Sequence, residues 1–243
     1  MSKKIIGIIG GMGPFAGVDV HKKIYQNTLA TSDKEHLDIV HLAFSQDIPD
    51  RTAYLLGKIS TNPATILAEK IKHYPLDVIG VACNTFHSPA IFKEFQAKLQ
   101  NAEMQILHLP NEVKKAIERD FPKATIGVLC TLGTYKTQIY QNIFKNTAIK
   151  LNFLNAKGCE AIHESICNNS WGIKKTGYLS EKAKSTIENE IVKLLDCDAI
   201  LLACTELPLI VKELSCSIPL IDCNEILARA FINAVSPDKL TNK

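Results

Sequence analysis

Long hydrophobic runs are what this chain most clearly lacks. No window of its 243 residues approaches the run of about 18 apolar residues that a membrane-spanning helix needs. Charge of one sign is also scarce. Lys and Arg number 28 against 25 Asp and Glu, a formal net charge of +3, with no Lys/Arg run and no stripe of basic and aromatic residues. That balance offers little to the nucleic-acid backbone, so no nucleic-acid partner is expected. No Gly-x-Ser-x-Gly elbow and no Walker loop is present. A secretion signal is not expected either, because Met-Ser-Lys-Lys moves straight into a strand-like run that reaches Gly10-Gly11. Eight cysteines suggest disulfides at first sight, but several lie inside apolar runs. Reduced thiols in a cytoplasm are the expectation. With 46% hydrophobic residues, the chain can bury a large core, in one domain or two.

One stretch occurs twice. Asp77-Val-Ile-Gly-Val-Ala-Cys83-Asn84-Thr85 and Asp198-Ala-Ile-Leu-Leu-Ala-Cys204-Thr205-Glu206 each open with Asp, run through five small or apolar residues, and deliver a Cys followed by polar residues. A short apolar run bounded in this way reads as a buried parallel strand. Asn, Thr or Glu after the Cys suits the first turn of a helix. Both thiols are therefore predicted where a strand ends and a helix begins, which is where open α/β sheets bind ligands.

Strand and helix patterns alternate along the rest. Strands are predicted at Ile5–Ile9, Asp38–Phe44, Met104–Leu109, Ala124–Leu129, Ile149–Leu154 and Ser217–Ile221, beside the two Cys strands. Helices are predicted from Pro14 to about Thr28, from Pro63 to about His73 and from about His87 to Gln100. Others cover Asn111–Arg119 with Asn111 as cap, start near Tyr135, cover Cys159–Cys167, run from a Ser180 cap to about Leu195, follow Cys204 briefly, and cover Asn224–Val235. Gln46–Thr52, with Pro49-Asp50-Arg51, and Asn168–Gly177 read as loops. The alternation predicts an α/β fold with parallel sheets.

The two halves share a register. Ile6-Gly7-Ile8-Ile9 resembles Ile126-Gly127-Val128-Leu129; from Gly7 to Cys83 is 76 positions, and from Gly127 to Cys204 is 77. Another strand follows each Cys strand, and then Asn-Glu opens a helix, as Asn111-Glu112 and Asn224-Glu225. We read an internal duplication: two similar Rossmann-like lobes related by a pseudo-two-fold axis, with the active site in the cleft between them. The expected partition is residues 1–108 plus 222–243 for the first lobe and 109–221 for the second. Under that symmetry one thiol stands on either side of the cleft. The plainer reading is two ordinary repeats whose cysteines are apolar filler.

Two opposed thiols suit the transfer of a proton from one face of a carbon to the other. One thiolate removes the proton and the opposite thiol donates one. A helix N-terminus or a nearby cation lowers a thiol's pKa from its usual value of about 8.5. The carbanion formed beside a carboxylate needs donors aimed at that carboxylate. Thr85, Thr131, Thr134 and Thr205 fall at predicted strand ends and offer hydroxyls, and Asn84 offers an amide hydrogen.

Gly10-Gly11-Met12-Gly13-Pro14, Pro49-Asp50-Arg51-Thr52, Cys83-Asn84-Thr85-Phe86-His87 and Cys204-Thr205-Glu206-Leu207-Pro208 together resemble the aspartate/glutamate racemase superfamily, nearest its aspartate racemase branch. The motifs extend from about residue 5 to 225. The resemblance implies a cofactor-independent two-base mechanism with Cys83 and Cys204 as the bases, acting on a small acidic amino acid. It also implies that Arg51, and the Lys of Gly172-Ile173-Lys174, hold the substrate carboxylates. Met12, inside the first motif, joins Asn84, Thr85, Thr131 and Thr205 among the residues expected to contact substrate. A homodimer is implied on the same ground. Two departures are visible. Ile162–Gly172 is longer than the family pattern and Lys175 adjoins Lys174, which leaves the choice of lysine open. Gly17 stands where Thr is expected.

A planar Arg fork and a Lys point charge suit a dicarboxylate, although either side chain is also an ordinary solvated surface group. Glu206 is placed to orient the substrate ammonium, to deprotonate a thiol, or simply to act as an acid at a helix N-terminus. His87 reads as a capping or packing residue. Gly11-Met-Gly13-Pro-Phe-Ala16 satisfies a loose dinucleotide pattern, but Pro14 removes an N–H that a phosphate loop would use. Cys159, His163 and Cys167 share a helix face but diverge along it, so no metal site is expected. The reading is a racemase of aspartate, with glutamate as an alternative substrate. The competing readings are an isomerase or decarboxylase of a related dicarboxylate, a nucleotide-dependent oxidoreductase, and a catalytically idle two-lobed binding protein.

Overall fold

A computed structural model of the chain describes residues 3–100 and 102–242. By their packing the residues divide into two units, Met1–Glu112 with Asn224–Lys243, and Val113–Cys223. In the first unit, strands β1 (Ile5–Gly10), β2 (Asp38–Ala43), β3 (Val78–Val81) and β4 (Gln105–Leu107) form one sheet in the order β2-β1-β3-β4. Helices α1 (Pro14–Asn27), α2 (Arg51–Leu55), α3 (Pro63–Ile71) and α4 (Pro89–Lys98) accompany them, and α5 (Leu109–Asp120) carries the chain from this unit into the second. In the second unit, β5 (Thr125–Leu129), β6 (Lys150–Phe153), β7 (Ala199–Leu202) and β8 (Leu220–Asp222) form a sheet in the order β6-β5-β7-β8. Its helices are α6 (Leu132–Lys136), α7 (Ile139–Phe144), α8 (Ala156–Cys167), α9 (Ile173–Thr176) and α10 (Glu181–Ile191). The last helix, α11 (Cys223–Val235), returns the chain to the first unit. Every strand pair in both sheets is parallel, so the predicted α/β class with parallel sheets is the observed one.

The duplicated register reappears atom by atom. Gly7 pairs with Ile79 and Gly127 with Ile200. The Asp that opens each repeated stretch folds its carboxylate back onto the neighbouring strand. Ile5 N donates to Asp77 Oδ2 at 2.6 Å, and Thr125 N donates to Asp198 Oδ2 at 2.7 Å. At the far end of each Cys strand, Ala82 N donates to Ile9 O and Ala203 N to Leu129 O, at 2.9 and 2.8 Å. Between these anchors β3 and β7 are buried along their whole length, as strands covered by helices on both faces must be. The residue after each upper anchor is the cysteine.

Several boundaries differ from the sequence expectation. The chain around Arg51 is not a loop through Thr52: α2 begins at Arg51, because Asp50 caps it by accepting from Ala53 N at 2.6 Å. Asn111 is not a cap, since α5 starts at Leu109; Pro110 is tolerated in a first turn, and Asn111 N donates to His108 O and to His108 Nδ1. The helix expected from Tyr135 is two short ones, α6 and α7, parted by Gln138 at a φ of 53°. The expected loop Asn168–Gly177 contains the helical turn α9. Ser180 does cap α10, accepting from Ala183 N.

Gly17 has a local cause. A Cβ on Gly17 would lie 2.4 Å from His41 Nε2, and one on Gly10 2.6 Å from the same atom. The His41 ring on β2 fills the notch between the end of β1 and α1, the space that a larger residue at position 17 would occupy. Gly17→Ala should therefore lower stability by about 1–3 kcal/mol through overpacking. In a His41→Ala background the same change should raise it by roughly 1 kcal/mol, the usual gain of Ala over Gly inside a helix. Urea unfolding of the four chains measures both; equal effects in the two backgrounds would rule out the steric pairing.

Candidate functional site

Cys83 follows β3 and is 5% exposed. It is not set against an α-helix N-terminus: a 3₁₀ turn, Thr85–His87, comes next, and Asn84 makes no capping bond from its side chain. The turn is held by His87. Leu109 N donates to His87 Nε2 at 3.3 Å, so Nδ1 carries the proton and donates to Cys83 O at 2.9 Å. Burial, and after it His108, hold His87 down to about 3. The ring stays neutral and ties the Cys83 backbone to the start of α5. It is a positioning group with no proton to exchange near neutral pH, in keeping with its reading as a packing residue. Asn84 and Thr85 are buried beside it.

The glycine loop and α2 form the second part of this half-site. Gly11 has a φ of 91°, and a Cβ there would lie 2.8 Å from Phe44 N, so the glycine permits a close approach to the chain leaving β2. That accounts for the glycine without a phosphate ligand and weakens the dinucleotide reading. Arg51 is buried. Its Nη2 donates to Met12 O at 2.8 Å and its Nη1 to Pro49 O at 3.2 Å, while Nε has no hydrogen-bond partner. Two carbonyls thus fix the plane of the guanidinium, and Met12 takes part through its backbone oxygen with its side chain in the core.

In the second unit Cys204 follows β7 and is also 5% exposed. Its Sγ donates to Glu206 Oε2 at 3.0 Å, and Thr205 Oγ1 reaches the same oxygen at 3.4 Å. The chain then enters a 3₁₀ segment, Leu207–Glu213. No α-helix N-terminus follows this thiol directly. Burial first, and then the Glu206 carboxylate, push Cys204 upward, and Lys174 acts in the opposite sense. Lys174 lies half-buried on α9 whereas Lys175 is exposed, so of the two lysines it is Lys174 whose charge Cys204 feels. Thr131 caps α6 by accepting from Thr134 N at 3.5 Å, and both threonines are buried.

Sequence reasoning missed Tyr140. It is fully buried on α7, and burial, followed by the thiols of Cys223, Cys130 and Cys204, pushes its phenol upward. Its neutral hydroxyl belongs to the surroundings of Cys204. Nothing in its flanking residues marks it, because α7 lies far from Cys204 in sequence. Cys130 is buried with its thiol pushed up by burial, as a packing residue should be. None of the eight cysteines is in a disulfide. Among the described residues no cluster of three or more potential ligands is arranged to hold a metal ion, Cys159, His163 and Cys167 included.

Comparison with known proteins adds to this geometry. Residues 9–231 match the family model described as Asp/Glu/Hydantoin racemase. The chain is 26% identical to the broad specificity amino-acid racemase RacX of Bacillus subtilis, over 94% of this chain and 97% of that one. Among solved structures it is similar to the Picrophilus torridus aspartate racemase, with 31% identity, a TM-score of 0.81, and coverage of 96% of this chain and 94% of that chain. The glutamate racemase of Campylobacter jejuni superposes with a TM-score of 0.65 over 98% of this chain and 88% of its own, and at 18% identity it bears on the fold alone.

The opposed effects of Glu206 and Lys174 on one thiol can be tested directly. In a Cys83→Ser background the pH dependence of Cys204 alkylation reports its ionisation. Glu206→Gln removes the like charge, and the midpoint should move to lower pH. Lys174→Met removes the opposite charge, and the midpoint should move to higher pH. Shifts of the same sign in the two variants would refute the arrangement.

Proposed function

The chain belongs to the Asp/Glu/Hydantoin racemase family, and from that premise we propose that it interconverts L- and D-aspartate, with glutamate as a second substrate, through the thiols of Cys83 and Cys204 and without a cofactor. The observation that carries the thiol chemistry is the hydrogen bond from Cys204 Sγ to the Glu206 carboxylate at 3.0 Å, within the field of Lys174. A buried thiol pushed upward is a poor base by itself. A carboxylate in hydrogen-bond contact gives its proton somewhere to go, and a cation nearby favours the thiolate. Aspartate is preferred because the similar Picrophilus torridus enzyme carries that name at 31% identity.

In the proposed reaction Cys204 as thiolate removes the α-proton of the L enantiomer. The electron pair left on the α-carbon is delocalised into the adjacent carboxylate. Cys83 as thiol then returns a proton to the other face, giving the D enantiomer and a Cys83 thiolate. The reverse reaction exchanges the roles, and a solvent-mediated proton transfer between turnovers restores the starting state. Arg51, with its plane fixed and its Nε–H without a partner, is assigned to one substrate carboxylate, and Lys174 to the other. Asn84, Thr85, Thr131 and Thr205 supply hydrogen-bonding groups, and Met12 supplies the carbonyl that seats Arg51.

We place the enzyme in the cytoplasm as a homodimer. No described helix is long and apolar enough to cross a membrane. Phe15, Val18 and Tyr25 on α1, and Leu29 just beyond it, are exposed apolar residues at positions three, seven and four apart. A stripe with that spacing is self-complementary across a two-fold axis. Sedimentation equilibrium should show a dimer for the native chain and a weakened one for Val18→Lys. An unchanged dimer would remove α1 from the interface, and a native monomer would remove the dimer.

The two-thiol reaction has its own test. Each single Cys→Ser variant should lose racemisation in both directions, because a turnover needs an acid and a base. Each should still wash deuterium into the α-position of one enantiomer: Cys83→Ser into L-aspartate, and Cys204→Ser into D-aspartate. Normal racemisation by either variant would reduce that cysteine to packing. Exchange of neither aspartate nor glutamate by the native chain, with activity on other amino acids in a panel, would move the substrate assignment towards the broad range named for the Bacillus relative.

A further inference from the structure

The first unit holds a cavity at the end of its sheet remote from Cys83. Strands β1 and β3 are parallel, and Cys83 and the glycine loop lie past their C-terminal ends. At the opposite end a cavity of about 470 Å³ is lined by Lys3 and Lys4 ahead of β1, by Lys34, His36 and Asp38 leading into β2, and by Lys239 near the end of the chain. The six residues of β1 separate the two ends, a span of roughly 20 Å at about 3.3 Å per residue.

Its lining is unusual for a chain with so even a charge balance. Four ammonium groups face two carboxylates, those of Asp38 and Asp238. Asp238 accepts from its neighbour Ser236 at 3.1 Å, and Lys239 donates to the backbone oxygen of Glu35. Lys3, Lys4 and Lys34 enter no ion pair among the described residues. His36 Nδ1 is buried without a hydrogen-bond partner. Leu37, Val235 and Pro237 supply an apolar wall. Lysines that enter no ion pair among the described residues, and an apolar flank, around a cavity of ligand size form a receptor for a multiply charged anion.

We propose that this cavity binds a phosphate-bearing small molecule at a site separate from the thiols. The phosphates lie among Lys3, Lys4 and Lys34. The apolar wall takes whatever organic part the ligand carries. This inference does not depend on the racemase reading, since it concerns binding at the other end of the sheet.

The test is calorimetric titration of the full chain at near-physiological salt, with inorganic triphosphate and a nucleoside triphosphate as probes. The native chain should bind, and Lys4→Gln with Lys34→Gln together should weaken binding about tenfold or more, as loss of charge-assisted contacts does. The relative affinity of the two probes separates the sources: tighter nucleotide binding assigns the apolar wall to a nucleoside, and equal binding assigns the site to the phosphates alone. Both outcomes support the site. Absence of binding by either probe at millimolar concentration overturns the proposal. So does equal affinity in the native and doubly substituted chains, or displacement of triphosphate by aspartate. Circular dichroism of the double variant guards against loss of fold as the cause.

Discussion

A carboxylate bonded to a strand-end amide sets the register on which both halves of this protein depend. Asp77 accepts from Ile5 N and Asp198 from Thr125 N. The first N–H of an inner strand would otherwise be left without a partner at the mouth of the sheet, at a cost comparable to a lost hydrogen bond. By supplying that partner, each Asp fixes where the Cys strand begins beside its neighbour. Register in a sheet is all or nothing, since a slip by one residue turns every side chain to the other face. With the lower end fixed and the upper end closed at Ala82 and Ala203, the next residue leaves the ladder, and in both units it is a cysteine. The placement of the two thiols thus follows from two acids six residues upstream.

The two thiols share a position but not an environment. Cys83 rests on a turn held by a neutral histidine, and its unit carries the buried Arg51, whose guanidinium is held by two carbonyls. Cys204 carries its own acid and feels a lysine. A buried cation held by neutral dipoles keeps its full charge for an incoming anion. A thiol between a carboxylate and an ammonium group is set by two opposing fields, and under the proposed assignment its ionisation would respond to a substrate carboxylate that neutralised Lys174. In the proposed reaction, forward and reverse proton removal would fall to thiols in different surroundings and would not share one pH dependence, even though the sequence motifs match.

Strands were legible from sequence and turns were not. The repeated Asp-to-Cys stretch is a continuous apolar run bounded by polar residues, and burial on both faces writes that pattern into every residue of β3 and β7. The 76 and 77 residue spacings carry corresponding ladder positions of the two sheets to a cysteine. Arg51, Lys174, Thr131 and Glu206 stood out from their motifs, yet the two carbonyls that hold Arg51 did not. Asp50 as a cap, His108 in place of Asn111, the break at Gln138 and the turn holding Lys174 all rest on single hydrogen bonds or one positive φ. Such features leave no periodic trace. Tyr140 was invisible for a related reason: the electrostatic influence of Cys204 on it joins segments 64 positions apart, and no pattern local to either reports it.

Gly17 shows how a departure from a family pattern can be local compensation. Read alone, a glycine inside a helix is a loss, since it forfeits backbone entropy and packing. Its cause is a residue on another element, because the His41 ring occupies the volume between Gly10 and Gly17. Burial, and then His21, lower the pKa of His41, so near neutral pH the ring acts as an uncharged wedge. It serves as packing for the root of the glycine loop that carries Met12, and through Met12 O it bears on the seat of Arg51. A substitution on β2 and one on α1 are therefore coupled to an arginine on α2, with the loop between β1 and α1 as the common element.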